Sequence, residues 1–370
     1  MVWQENGDAY FEKLPKGARV VSGFLQFIRI LEFTTITFGF YTKMGFYIEN
    51  SLYFQFTFHC FWIFLTIGCS SFQYVFLGKT REVIDVVNQT IKLAKHMEQR
   101  FPLASQYEKN RRIRLLILAG FCGSYIFQNN VVIMPIFFKR YEEKWYFSAF
   151  ILQPFYQHET TKKVAWVVGF LYELWWSSIQ WGSILMLFYV QLLFVQTMIT
   201  TLKGIRQYAK DVPFTSSEEL IKILKVCSKL RILCSLFNNS IGNYYYPWLN
   251  ALAGLVVVSG LVVLIKLFLL FDFTLIGLSI FSIITGLALV WAITRFCGMI
   301  QYESCKLYEE LLCWKIGKKK ATLELSAVRP IRVEVGDFYI IDRKTALTIL
   351  LTISNAATSV LLSLNFDIST

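Results

Sequence analysis

The residues of this chain that could do covalent or metal chemistry are few and scattered. His59, His96 and His158 lie far apart and suggest no metal-ligand cluster. Gly78-Lys79-Thr80 resembles the end of a phosphate loop, but Gln73 stands where the first glycine belongs and no strand precedes it. Paired catalytic carboxylates and a Gly-x-Ser-x-Gly elbow are absent, so the reading is a non-enzyme without a cofactor. The pattern that does stand out is physical. Thr345, Thr348, Thr352, Asn355 and Ser359 recur at spacings of three and four inside an otherwise apolar block, 341–366. At about 100° per residue they share an arc of roughly 80°, with Leu362 and Ser363 continuing its edges. Hydroxyls and amides in hydrocarbon must find partners. A polar stripe of this kind suits a water-filled path, so a pore is the first expectation.

The elements that must position this stripe follow from composition. The chain has 370 residues, 55% hydrophobic and only 17% charged, with a mean hydropathy of +0.48. Seven apolar blocks are long enough to cross about 30 Å of hydrocarbon: about 21–42, 51–77, 114–138, 164–200, 248–271, 274–297 and 341–366. The expected fold class is an all-α integral membrane protein of seven transmembrane helices. No cleavable signal peptide is read at its polar start. Lys and Arg number 29 in the tail and loops of one side and six on the other, which places the N-terminus in the cytosol and the C-terminus outside. The net charge of +12 then belongs to the inner face of a membrane, where Lys318, Lys319 and Lys320 can meet anionic lipid, and calls for no nucleic acid. No cysteine falls in an external loop, so no disulfide is expected, and the sequons at Asn88 and Asn238 face the cytosol.

The inner loops look helical. Leu220, Ile223, Leu224, Cys227, Leu230 and Cys234 repeat at helical spacing after a capping box at Ser216-Ser217-Glu218-Glu219, and Ile84, Val87, Ile91 and Ala94 share a face. The fourth span has no breaker before Gly204 and should continue into the cytosol until near Pro213. Tyr302 to Trp314 reads as a further amphipathic piece, and simple helical extension of the spans accounts for these inner pieces equally well. The apolar faces of these inner helices need cover, from each other or from another subunit. The expected organisation is 1–297, a six-helix bundle with an outer-half pocket and cytoplasmic extensions; 298–340, a cytoplasmic anchor; and 341–370, the final helix and an external tail.

Charges within spans are costly and demand partners. Arg29 and Glu32, three apart, can pair with each other, and Lys266 and Asp272 can snorkel. Glu173 sits among Tyr172, Trp175 and Trp176 in the outer half of the fourth span. Phe54, Phe58 and Phe61 of the second span, Tyr125, Gln128 and Met134 of the third, and Phe170, Tyr172 and Glu173 of the fourth would wall a pocket for a small, apolar, neutral ligand. Ordinary packing accounts for such aromatic residues equally well.

Arg329-Pro330-Ile331-Arg332, then Gly336-Asp337-Phe338-Tyr339 and the final span, resembles the C-terminal signature of insect odorant receptors. This covers about 40 residues by motif and the whole chain by topology. The gustatory branch usually carries a Thr-Tyr…Gln-Phe pattern in its last helix, which Thr345-Ala346 and Thr352-Ile353 do not reproduce. The odorant co-receptor has a longer intracellular loop and a different end, so the resemblance implies a tuning subunit. It further implies an odorant-gated, non-selective cation channel in the plasma membrane of olfactory sensory neurons, a heterotetramer with the co-receptor, opened by a small volatile ligand, with the last helix lining a central pore. On that reading the gate lies among Val360, Leu362 and Ser363, where an apolar ring closes the path by dewetting. A gustatory-type homotetrameric channel and a G-protein-coupled receptor are the alternatives. The latter requires an external N-terminus, an external disulfide and an Asn-Pro-x-x-Tyr motif, none of which is read here. A transporter would show paired halves.

Overall fold

The computed structural model describes residues 2–3, 11–12, 16–49, 66–100, 159–211, 217–268, 273–312, 329–335 and 339–363, with single positions at 63, 113, 116, 117, 120 and 152. A two-residue ladder joins β1 (Val2–Trp3) to β2 (Phe11–Glu12) ahead of α1 (Lys16–Glu49). A helical run over 66–73 widens into a π turn at Tyr74–Gly78 and leads to α2 (Thr80–Arg100). Then come α3 (Glu159–Asp211), α4 (Ser217–Phe237), a second π turn (Asn238–Gly242), α5 (Asn243–Phe268) and α6 (Phe273–Leu312). An antiparallel hairpin, β3 (Val333–Val335) with β4 (Tyr339–Ile341), precedes the last helix, α7 (Thr345–Ser363).

The long helices outrun a bilayer. The 53 residues of α3 extend about 80 Å and the 40 of α6 about 60 Å, against a hydrocarbon core of about 30 Å. Three helical stretches among the described residues are apolar and long enough to cross a membrane: Gly182–Lys210, Ile283–Leu312 and Thr345–Leu362. The third apolar block, 114–138, apart from positions 116, 117 and 120, and about half of the second lie outside the described residues. The fourth span does continue beyond its apolar block, as expected, and ends at Asp211. The Tyr302–Trp314 stretch is an extension of a span, because α6 runs unbroken through Leu312. Nothing between 298 and 312 supplies a proline to stop it.

The main core lies at one end of the bundle. It draws on α2, the second half of α3, α4, the start of α5, the second half of α6 and the hairpin. Val83, Val86, Val87 and Met97 of α2, and Leu220, Ile223, Val226, Leu230 and Phe237 of α4, are all buried there. The apolar faces of these two amphipathic helices are thus covered within the chain. Phe194 and Phe237 stack at 4.0 Å in its centre. Between α3 and α6, Arg206 holds Glu303 at 2.8 Å and Glu310 at 2.9 Å.

The hairpin and the residues before it are tied to this core through their backbone. Arg231 donates to the carbonyl of Arg329, Cys234 and Asn238 donate to that of Arg332, and the Ile331 amide donates to Ser304 Oγ at 2.8 Å. Ile331, Val333, Val335 and Ile341 are buried. Gly242, in the second π turn, passes so close under β3 that a Cβ there would lie 3.3 Å from the Glu334 carbonyl. The π widening sits just before Pro247 of α5, a residue that cannot complete an ordinary helical ladder.

Candidate functional site

The hairpin delivers the chain to the start of α7, and a reciprocal cap fixes that start. Asp342 Oδ1 accepts from the amides of Lys344 and Thr345, both at 2.8 Å, and from Thr345 Oγ1 at 2.8 Å. The Asp342 amide donates to Thr345 Oγ1 at 2.9 Å. Burial pushes the Asp342 carboxyl up, but these hydrogen bonds and the Lys344 charge outweigh it and hold the group below the usual carboxylate range. The apolar block of the sequence begins at Ile341, yet the helix begins only at Thr345, because Ile341 is still paired with Val333. Arg343 lies over the ring of Tyr302 on α6 at 3.4 Å, and α6 passes Asp342 at Gly298.

From that anchor α7 runs along the outside of the fold. Only 17% of its span is buried, against 61% for that of α3. Ala346, Ile353 and Ala357 face inward, with Ile353 seated over Gly254 of α5 and clustered with Ala253, Val257 and Val290. Thr348, Thr352, Asn355 and Ser359 are all exposed, on one flank of that buried ridge. Leu351 and Leu362 are exposed beside that stripe, within about 40° of Asn355, Leu347 is exposed farther round, and Val360 is 37% exposed near the ridge. Thr345 is placed apart from the rest of the stripe, buried and committed to the cap. Ser363 is the last residue of the helix.

The hydroxyls of the stripe turn out to be poor discriminators. Thr352 donates to the Thr348 carbonyl at 2.9 Å, Ser359 to that of Asn355 at 2.9 Å, and Thr348 to that of Lys344 at 3.3 Å. A hydroxyl satisfied by its own helix tolerates hydrocarbon. Asn355 differs in kind. Its carboxamide carries two donors and an acceptor, is exposed, and makes no side-chain hydrogen bond among the described residues. It lies ten residues, about 15 Å, into a helix of 19 residues, which is the middle of a bilayer-spanning length. Bare lipid around an unpaired amide there costs several kcal/mol, on the order of 4 to 8 from alkane transfer.

A second polar feature is internal. Arg29 and Glu32 of α1 are paired and almost fully buried, 3% and 4% exposed. Trp176 of α3 donates from Nε1 to Glu32 at 2.6 Å and lies 4.5 Å from the Arg29 guanidinium over its ring. Gln73 accepts from Arg29 Nε at 3.5 Å. The pair expected from the i, i+3 spacing is therefore present, and its partners tie α1 to α3 and to the 66–73 helix. Sequence reasoning missed Trp176 and Gln73, and no local pattern singles them out. Tyr172 stacks on Trp176 at 6.3 Å and contacts Trp175 at 6.2 Å. Phe170, Tyr172 and Glu173 are half-buried on α3. Phe54, Phe58, Phe61, Tyr125, Gln128 and Met134 lie outside the described residues.

A groove of about 570 Å³ runs between α5 and the stripe side of α7, with Thr352, Ile353 and Ala356 in its wall. No sequence pattern announced it.

The sequence matches no protein-family model and no curated protein. The structure is similar to that of the insect olfactory receptor OR5 from Machilis hrabei, with a TM-score of 0.68 over 96% of this chain and 92% of that one, at 10% sequence identity. At that identity the likeness concerns the fold, which is insect olfactory receptor-like.

Proposed function

Starting from an insect olfactory receptor-like fold in a multi-pass membrane protein, we propose that this chain is an odorant receptor subunit of a ligand-gated, non-selective cation channel. Seven spans run from a cytosolic N-terminus to an external C-terminus, a direction supported by the Lys and Arg asymmetry of the loops. The chain assembles with a co-receptor in a tetramer, in the plasma membrane of olfactory neurons. Thr348, Thr352, Asn355 and Ser359 of each α7 face the conduction path, and Thr345 sets the helix start at its inner mouth. Leu362, with Val360 and Ser363, forms the outer constriction, which a small displacement of α7 rewets. The volatile ligand binds in the outer half of the bundle, among Phe54, Phe58, Phe61, Tyr125, Gln128, Met134, Phe170, Tyr172 and Glu173. It shifts the closed-open balance by its differential affinity for the open arrangement.

The observation that carries this reading is the exposed carboxamide of Asn355, without a hydrogen-bond partner among the described residues, midway along a membrane-length helix. Water in a pore satisfies it and lipid does not. The test is cysteine accessibility in cells co-expressing the chain with a co-receptor. Single cysteines at Asn355 and Thr352 should react with a charged, water-soluble thiol reagent and alter the current. Cysteines at Leu347 and Ser354, exposed about 80–100° round the helix from Asn355, should not. Equal reactivity of the two pairs, or none at Asn355, sinks the pore assignment. A parallel recording of Leu362→Ala should show raised basal current if Leu362 belongs to the constriction.

A further inference from the structure

We propose that the groove between α5 and α7 is a binding site for a membrane-dissolved, fused-ring alcohol of the sterol type. The site stands on the packing of α5 against α7 and needs no assumption about conduction. Its two ends differ in chemistry. Near the hairpin lie Trp248, Asn250 and Tyr339, and farther along both helices the wall is purely apolar, with Leu255, Val258 and Ala356. Asn250 Nδ2 donates to Tyr339 Oη at 2.7 Å, while Asn250 Oδ1 is buried with no donor among the described residues. An unpaired buried acceptor is a standing cost that a ligand can remove. If the amide is turned over, the buried atom is a donor instead. An alcohol hydroxyl both donates and accepts, so it satisfies either orientation, whereas a hydrocarbon or an ether does not.

Shape selects the body of the ligand. From Pro247 to Val258 α5 rises eleven residues, about 16 Å. A volume of about 570 Å³ over that length gives a cross-section of about 35 Å². One polymethylene chain, whose neighbours pack about 4 Å away, fills roughly 16 Å². The groove is therefore about two chains wide, the width of a fused-ring skeleton. Its polar end lies at the start of α5 and its apolar end along α7, so the ligand would stand with its hydroxyl toward the hairpin and its rings against Ile353 and Ala356.

The test uses the purified full-length chain in lipid nanodiscs with a diazirine-bearing sterol, and reads cross-linked peptides by mass spectrometry, without currents. Labelling should concentrate on 247–258 and 349–356. Unlabelled sterol should compete about tenfold better than the same ring system lacking its hydroxyl, and Asn250→Leu should erase that preference. Ala356→Trp, or Val258→Phe from the other wall, should remove most groove labelling while the protein stays monodisperse. The site is overturned if label spreads evenly over exposed apolar residues such as Leu347 and Leu351, or if the hydrocarbon competes as well as the alcohol. It is also overturned if a linear long-chain alcohol competes equally, or if a cysteine in the groove cross-links to a second copy of the chain with the sterol excluded.

Discussion

A methyl group at Gly298 is the sharpest test of how α7 is held. An ideal Cβ there would lie 2.6 Å from both the carbonyl carbon and oxygen of Asp342, and 2.9 Å from the Arg343 amide nitrogen. These are backbone atoms of the cap itself, so no side chain can swing aside. Restoring an ordinary contact of about 3.4 Å requires α6 and the cap to part by roughly 0.8 Å, and such overpacking costs about 1–3 kcal/mol. Alanine also gains up to about 1 kcal/mol of helix propensity over glycine. Gly277, on the same helix, separates the two effects, because a Cβ there meets nothing within 4 Å among the described residues. Gly277→Ala should match or exceed the parent, while Gly298→Ala should fall below Gly277→Ala by the full overpacking cost. At about 1–2 °C per kcal/mol for a chain of this size, the gap is a few degrees in the midpoint of heat-induced loss of the monodisperse peak on size exclusion in one detergent. A Gly298→Ala midpoint equal to or above that of Gly277→Ala would refute the close approach of α6 to the α7 cap.

Breaking the buried pair by Glu32→Gln or Arg29→Met alone should destabilise by about 3–5 kcal/mol. Replacing both with apolar residues of similar volume should recover most of that, which a double-mutant cycle on thermal midpoints checks. Asp342→Ala should remove the α7 cap at a cost of about 1 kcal/mol. Because the Asp342 carboxyl is held below its ordinary value, its contribution is complete above the unfolded value of about 3.9 and is lost as pH falls through the lower folded value. Asp342→Asn should flatten the midpoint-against-pH curve in that acidic window only. Burial pushes the Cys227 thiol up to about 12, against the lowering effect of Arg231, and lifts Cys234 further still. In the folded protein both should resist N-ethylmaleimide at pH 7.5, while half-buried Cys305 labels ahead of them, as read by site-resolved mass spectrometry.

Local chemistry was legible in the chain. The apolar blocks gave α1, α3, α5, α6 and α7 because burial of apolar side chains and closure of helical hydrogen bonds are sums over a short window. The faces of α2 and α4 were legible for the same reason, as was the Arg29–Glu32 pair one helical turn apart. Errors and open points came where the decision was long-range. Whether Tyr302 to Trp314 extends a span stayed open, since an amphipathic stretch looks alike whether it begins a helix or extends one. Thr345 read as part of the stripe, since its angular position is right and only the hairpin reveals that it belongs to a cap.

The stripe itself shows where the division falls. Its sequence determined that Thr348, Thr352, Asn355 and Ser359 share one edge of a helix, because 3.6 residues per turn leaves no freedom in the matter. Whether that edge turns inward or outward depended on how Ile353 seats against Gly254 and how Gly298 admits the Asp342 turn. Those contacts join residues about 45 to 100 positions apart, so no window of sequence contains them. The same packing separated Asn355 from its neighbours, leaving its amide without a partner among the described residues while their hydroxyls bonded to the helix that carries them.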